Sequence, residues 1–243
     1  MNITIRCAIM LLLIPTLSTT SQAAEPESDN WQFTITPYLW VATIKGSTGT
    51  AGGGSGIDID YNFLALDNLA GAFFIAASAR KGQWTFQTDV VYLNFADNIT
   101  LGPLETEIDL KGGIFELSAG YRPQSFEHTE LLFGARRVSV DLAVSLTPGP
   151  SGSGGPIVVD PIIGLRHTRP LGERWQAVVR ADIGGFGVSS DLTFNALAGA
   201  GFQMTRHSSL FLGYRYLKLD FSEDEFLADL TADGFALGVE FSF

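Results

Sequence analysis

"GFALGVEFSF" (residues 234–243) closes the chain, and reading it backward from Phe243 separates two faces. Phe243, Phe241, Val239, Leu237 and Phe235 alternate with Ser242, Glu240, Gly238, Ala236 and Gly234. Successive side chains of a strand point to opposite sides, so this is a strand with one apolar and one small or polar face. A soluble β-domain and a membrane barrel both use such strands, and the rest of the chain separates them.

The same alternation recurs upstream. In "WQFTITPYLWV" (31–41), Trp31, Phe33, Ile35, Pro37, Leu39 and Val41 oppose Gln32, Thr34 and Thr36. "WTFQTDVVY" (84–92), "RWQAVVRADIGG" (174–185), "DLTFNALAGAGFQM" (191–204) and "LFLGYRYL" (210–217) repeat it. A soluble sandwich would carry many Lys and Glu residues on the polar faces. Here those faces are glycine-rich, with a few mid-strand charges of both signs, which suits the crowded inside of a small barrel. Mean hydropathy is +0.20, dispersed in alternation and never gathered into a helix-spanning run after the first residues.

The opening "MNITIRCAIMLLLIPTLSTTSQA" has one positive charge, Arg6, then an apolar stretch and small residues up to Ala23. It reads as a secretory signal peptide over 1–23, too short in its apolar part for a membrane anchor. Cys7, the only cysteine, would leave with it, so residues 24–243 form one domain with no disulfide and no cysteine-based metal site. Against 15 Lys and Arg stand 26 Asp and Glu, a net charge of −11, which excludes a nucleic-acid partner that needs clustered positive charge.

Connections give an independent test, because outer-membrane barrels alternate short periplasmic turns with longer external loops. Residues 80–83, 122–129, 169–173 and 205–208 are short; 44–69, 97–106, 147–156, 187–190 and 222–229 are longer or rich in Gly, Asp and Ser, and the two classes alternate. Trp31, Trp84 and Trp175 begin rising strands, and Tyr121, Phe202 and Phe243 end falling ones, so these rings form one interfacial belt, with Tyr92 and Tyr216 near the other. The pattern predicts an all-β, closed antiparallel transmembrane barrel of about ten strands, within a range of eight to twelve: 31–43, 70–80, 83–96, 107–121, 130–146, 156–168, 174–186, 191–205, 209–221 and 230–243. The apolar phase changes near Gly112-Gly113 and near Arg136-Arg137, which predicts a β-bulge at each. Residues 56–71 alternate like a strand in their first half and have helical spacing in their second, and are placed in the first long loop.

With "PYLW", "DPIIGLR", "DIGGFGVSSD", "LGYRYL" and the closing "GFALGVEFSF" in place, the whole mature chain resembles the small outer-membrane β-barrel proteins of Gram-negative bacteria, broadly the OmpA-like and OmpW-like class. The ending also resembles the assembly signal read by the barrel-insertion machinery, through Gly238, Phe241 and Phe243, and departs from it at Ala236. The resemblance implies an outer-membrane location, lipid and lipopolysaccharide as surroundings, the assembly machinery as a partner, and a monomer.

Two functional classes follow. An embedded hydrolase or acyltransferase acting on lipid or peptide would need His with Ser or Asp at the outer rim. His128 and His207 fall in periplasmic turns instead, and His167 falls near the periplasmic end of its strand, facing lipid. Asp58 with Asp60 and "SEDE" (222–225) read as solvated loop charges, the latter also as carboxylates for divalent cations against lipopolysaccharide phosphates. The favoured class is non-enzymatic, with a structural, surface-interaction or narrow-channel role, no cofactor and no metal. Its candidate site is the lumen, into which Asp89, Glu116, Arg136, Asp160, Arg166, Arg180, Asp182, Arg215 and Glu240 project, four positive and five negative. Such near-balance predicts a salt-bridged network that fills the barrel; the other reading is a charged constriction passing a small solute.

Overall fold

A computed structural model describes residues 30–50, 57–62, 69–101, 104–147, 149, 151–223 and 226–243. The signal-peptide region, with Cys7, lies outside these residues. Ten long antiparallel strands close into a barrel: β1 (Gln32–Thr50), β3 (Leu69–Lys81), β4 (Trp84–Leu101), β5 (Leu104–Tyr121), β6 (Thr129–Thr147), β8 (Ile157–Pro170), β9 (Trp175–Gly185), β10 (Leu192–Gln203), β11 (Ser208–Glu223) and β12 (Phe226–Ser242). Two short strands, β2 (Ile57–Asn62) and β7 (Ser151–Gly154), extend the wall by pairing with β1 and β6. The first half of the segment expected in the first loop is thus a strand; Phe63–Asn68 lie outside the described residues.

Closure follows the predicted logic. β12 pairs with β1 from Thr34↔Ser242 to Thr50↔Phe226, and β1 returns to β3 over Gln32–Pro37. Phe243 and Phe33 exchange two backbone hydrogen bonds, so the last residue finishes the seam. A single row of paired residues starts at Trp84, beside a short turn, and runs through Tyr121, Leu131, Leu165, Ala181, Ala196 and Tyr216 to Asp233, midway along β12. A row that climbs the barrel in this way means strongly tilted strands, as closure requires. The curvature is tight enough that an added Cβ on inward-facing Gly134 would lie 2.2 Å from the Leu117 carbonyl oxygen, and one on Gly164 2.3 Å from that of Ala181. Only glycine fits these positions.

The strands outrun the expected loops. β4 reaches Leu101 before β5 begins at Leu104, and β11 reaches Glu223 before β12 begins at Phe226, so the segments 97–106 and 222–229 are mostly strand. About 9–11 tilted residues cross a membrane, and 16 to 19 leave a wall projecting beyond it. β8, β9 and β10, with 14, 11 and 12 residues, form a lower rim.

Neither predicted bulge is present. Pairing runs without a shift through Leu93↔Gly112 and Tyr92↔Gly113, and through Arg136↔Asp160 and Arg137↔Val159; the described irregularity is at Leu69/Gly71. The hydrophobic phase changes there for another reason: the environments of the two faces exchange. On β6, outward Phe133 and Ala135 give way to Arg137, Ser139 and Asp141, while inward Gly134 and Arg136 give way to buried Val138. On β5, outward Leu117 and Phe115 give way to Lys111, and on β12 outward Leu237 and Phe235 give way to Asp233 and Asp229. Below this boundary the barrel is apolar outside; above it the outer face is polar and the apolar face turns inward.

Candidate functional site: a lumen filled in two layers

The register assembles the inward charges. Asp89, Glu116, Arg136 and Asp160 stand in one cross-strand row over β4, β5, β6 and β8. Arg136 is fully buried and bridges two acids: Nε and Nη2 donate to Glu116 Oε2 at 3.1 and 2.7 Å, and Nη2 donates to Asp182 Oδ1 at 2.5 Å. Arg180 completes a ring, donating to Glu116 Oε1 through Nη2 and to Asp182 Oδ2 through Nε at 3.0 Å. The fork geometry of guanidinium suits two carboxylates at once.

Neutral amides and a phenol carry the network across the barrel. Asn195 Nδ2 donates to Asp182 Oδ2 at 2.8 Å, and its Oδ1 accepts from Arg215 Nε at 3.0 Å. Arg215 Nη1 donates to Asp89 Oδ2 at 2.8 Å, and the Tyr38 hydroxyl donates to Asp89 Oδ1 at 2.6 Å. Seven strands are thereby tied by one chain of hydrogen bonds.

A second cluster sits toward the short-turn end. Glu130 accepts from Arg80 Nη2 at 2.8 Å and from Arg166 Nη2 at 2.5 Å, and Arg166 Nη1 donates to Gln87 Oε1 at 2.7 Å. Asp160 takes a different role, accepting the backbone N–H groups of Ser190 (2.9 Å) and Ser189 (3.3 Å). It thereby ties down the β9–β10 turn, in which Phe186 adopts φ +53° between Gly185 and Gly187. Glu240 lines a cavity of about 210 Å³ together with Thr34, Arg166, Arg180 and Asp89, between the two clusters.

All nine predicted lumen residues therefore face inward, and eight of them take hydrogen-bonded partners in these clusters or at the turn. Arg80, Glu130, Tyr38, Gln87 and Asn195 were missed. Arg80 and Glu130 lie at strand ends, where the sequence shows a turn; Tyr38, Gln87 and Asn195 carry no charge to draw attention, and only the inward parity marks them.

The lumen is not polar throughout, as the sequence reading supposed. Beyond the ionic network Trp40, Phe74, Val91, Val138, Val158, Leu217 and Leu219 pack into one buried apolar layer. Arg215 joins the two, its guanidinium lying 4.9 Å from the Trp40 ring.

The aromatic belt stands at the short-turn end, where Trp84 meets Tyr121 at 5.0 Å, Trp175 meets Phe202 at 4.9 Å and Trp31 stacks on Phe33 at 6.1 Å. Phe243 is exposed at this end, Phe241 faces outward and Gly238 inward. His167 is exposed and shares a 3.0 Å hydrogen bond with Thr129 Oγ1, with the His128 ring edge-on at 6.2 Å; His207 lies in the β10–β11 turn. Asp58 and Asp60 fall on β2, opposite Ser47 and Lys45; of "SEDE", Ser222 and Glu223 end β11, and Asp224 and Glu225 lie outside the described residues.

No family model matches the chain, and no curated protein does. Solved structures do. The outer membrane protease OmpT from Escherichia coli is 11% identical with a TM-score of 0.52, covering 92% of this chain and 100% of that one. Ail, the attachment invasion locus protein of Yersinia pestis, in complex with the heparin analogue sucrose octasulfate, is 12% identical (TM-score 0.45), covering 89% and 100%. The translocator domain of autotransporter NalP from Neisseria meningitidis is 14% identical (TM-score 0.46), covering 88% of each chain. At such identity the likeness to OmpT speaks for architecture alone, and with the apolar outer face, the belt and the closed ten-strand wall it leads to one conclusion: this chain has the fold of the bacterial outer-membrane β-barrel proteins.

Proposed function

We propose that the protein is a non-enzymatic, non-conducting outer-membrane barrel, exported by the signal peptide over 1–23, that holds an extramembrane wall at the cell surface. Its short turns and both ends of the 24–243 domain lie in the periplasm. Its wall stands outward among lipopolysaccharide, as a monomer delivered by the barrel-insertion machinery. The observation that carries this reading is the filled lumen: a salt-bridged layer and an apolar layer lie in series. A narrow channel would need a water path through both.

A hydrolase or acyltransferase would need an acid–base pair at the outer rim. Among the described residues the three histidines lie at the opposite end, and each lumen carboxylate of the central network is already held by arginine. The wall, by contrast, offers outward Asp109, Asp141, Asp220, Asp229 and Asp233 interleaved with Lys111, Arg137 and Lys218, the last paired with Asp229 at 3.2 Å, a charged display for a surface contact.

Planar-bilayer recording of the refolded chain tests this. No stable unitary conductance is expected. Long-lived openings of constant size in the parent protein would reverse the reading and make the arginines the lining of a pore.

A second expectation concerns assembly. Deleting Phe243 removes its backbone pair with Phe33 and the aromatic end of the signal, so its level in outer-membrane fractions should fall well below that of Ser242→Ala. Equal levels for the two would remove Phe243 from the assembly signal.

A further inference from the structure

The outer wall carries an open, apolar groove. It has a volume of about 730 Å³ and runs over β6, β8 and β9, floored by Leu131, Ile163, Leu165 and Ala181. Trp84 and Tyr121 stand at its short-turn end, and Phe194 at its far end. Gly164 and Ala181 leave the floor low between the larger outward side chains of Leu131, Ile163 and Leu165. Outward side chains of this kind meet acyl chains in a bilayer, so the occupant of a groove among them is lipid.

The β8 face that forms the floor continues toward the periplasm with a different chemistry. After Ile163 and Leu165 the next outward residues are His167 and Arg169, each about 7 Å further on. Both are exposed, and among the described residues Arg169 takes no ion-pair partner. Arg169 is level with the tryptophan belt, which marks the headgroup region. Among the described residues, Lys81, Arg122, Arg174 and Arg206 stand at or beside the short turns, with Glu127 and Glu173 the acids there.

We infer that the groove is a site for one anionic glycerophospholipid of the periplasmic leaflet. An acyl chain lies along Leu165, Ala181 and Ile163, and the phosphate is met by Arg169 and His167. The inference rests on the membrane-spanning reading above. A groove alone would take any lipid; the cationic mouth is what selects an anionic one, because Arg and phosphate form charge-assisted hydrogen bonds.

Native mass spectrometry of the refolded full chain in detergent, offered phosphatidylglycerol and phosphatidylcholine in equal amounts, tests it. One phosphatidylglycerol should be retained in preference. Arg169→Ala with His167→Ala should cut that retention by about tenfold, and Ala181→Trp, which fills the floor, should abolish retention of both lipids. Leu39→Trp, equally outward but on β1, opposite β8 in the strand order, should leave binding unchanged. Each variant is first checked for different migration in SDS gels before and after boiling, which reads barrel formation apart from lipid. If the parent shows no such shift, the membrane-barrel reading falls. If it forms a barrel yet holds both lipids equally, or if the double variant or Ala181→Trp retains phosphatidylglycerol like the parent, the lipid site is overturned. Should the double variant fail to form a barrel, Arg169→Gln alone carries the same expectation and the same refutation.

Discussion

Arg136→Ala is expected to destabilise the barrel by about 3–5 kcal/mol, the range for breaking a buried ion pair by removing one partner. The Arg136 side chain is fully buried and donates to Glu116 and Asp182, both themselves buried. Its loss leaves Arg180 as the sole cation directly between two carboxylates that are shut off from water. One acid must then remain charged in a medium of low polarity or take up a proton, and either outcome costs stability. Arg136→Lys should recover only part of the loss, since an ammonium lacks the planar fork that reaches both acids. Arg166→Ala, whose side chain is 19% exposed beside the cavity, should cost less because water can replace it at Glu130. Urea unfolding of the three variants in lipid vesicles, followed by tryptophan fluorescence, measures the order. Equal midpoints for Arg136→Ala and Arg166→Ala would mean that the central ring is hydrated and contributes little. No conductance is expected from Arg136→Ala, because the Trp40 layer remains as a second seal.

How much of this was readable beforehand depends on what each feature needs. Strand parity needs only a period of two, and it is enough to gather the nine charges on one face of their strands. Pairing needs the register, which alternation does not contain. Arg166 and Asp160 share a face of β8, yet Arg166 turns to Glu130 on β6 and Asp160 to the backbone of the β9–β10 turn. The two phantom bulges show a deeper limit. Val138 and Ile114 looked out of phase because polarity was read as if one environment covered the whole strand. In a strand that leaves the bilayer, the face that seeks burial changes at the boundary while the backbone does not. A reversal of hydrophobic phase therefore has two physical causes, an inserted residue or a change of solvent, and continuous pairing through Gly112 and Arg136 identifies the second.

That boundary makes the other large prediction. Leu117 and Lys111 lie on the same outward face of β5, three outward positions apart; Leu117 is 56% exposed among apolar neighbours, and Lys111 is exposed beyond the boundary. If the two positions face hydrocarbon and water respectively, Leu117→Arg should cost about 2–4 kcal/mol, the figure for a cation at the midplane of a barrel wall. Lys111→Leu should stay within about 0.5 kcal/mol of the parent, as for an exposed residue outside any buried network. The contrast is informative because both substitutions exchange an apolar and a cationic side chain on one strand, so local β-propensity and strand pairing are nearly common to the pair. Refolding into vesicles and unfolding in urea gives both values. A mild effect at Leu117 with a strong stabilisation by Lys111→Leu would invert the assignment and place the long-strand end of the barrel, with its charged outer face, inside the bilayer. A large loss at Leu117 together with a gain in stability for Lys111→Leu would extend the hydrocarbon past Lys111, and the apolar layer around Trp40 would then be a membrane-level plug.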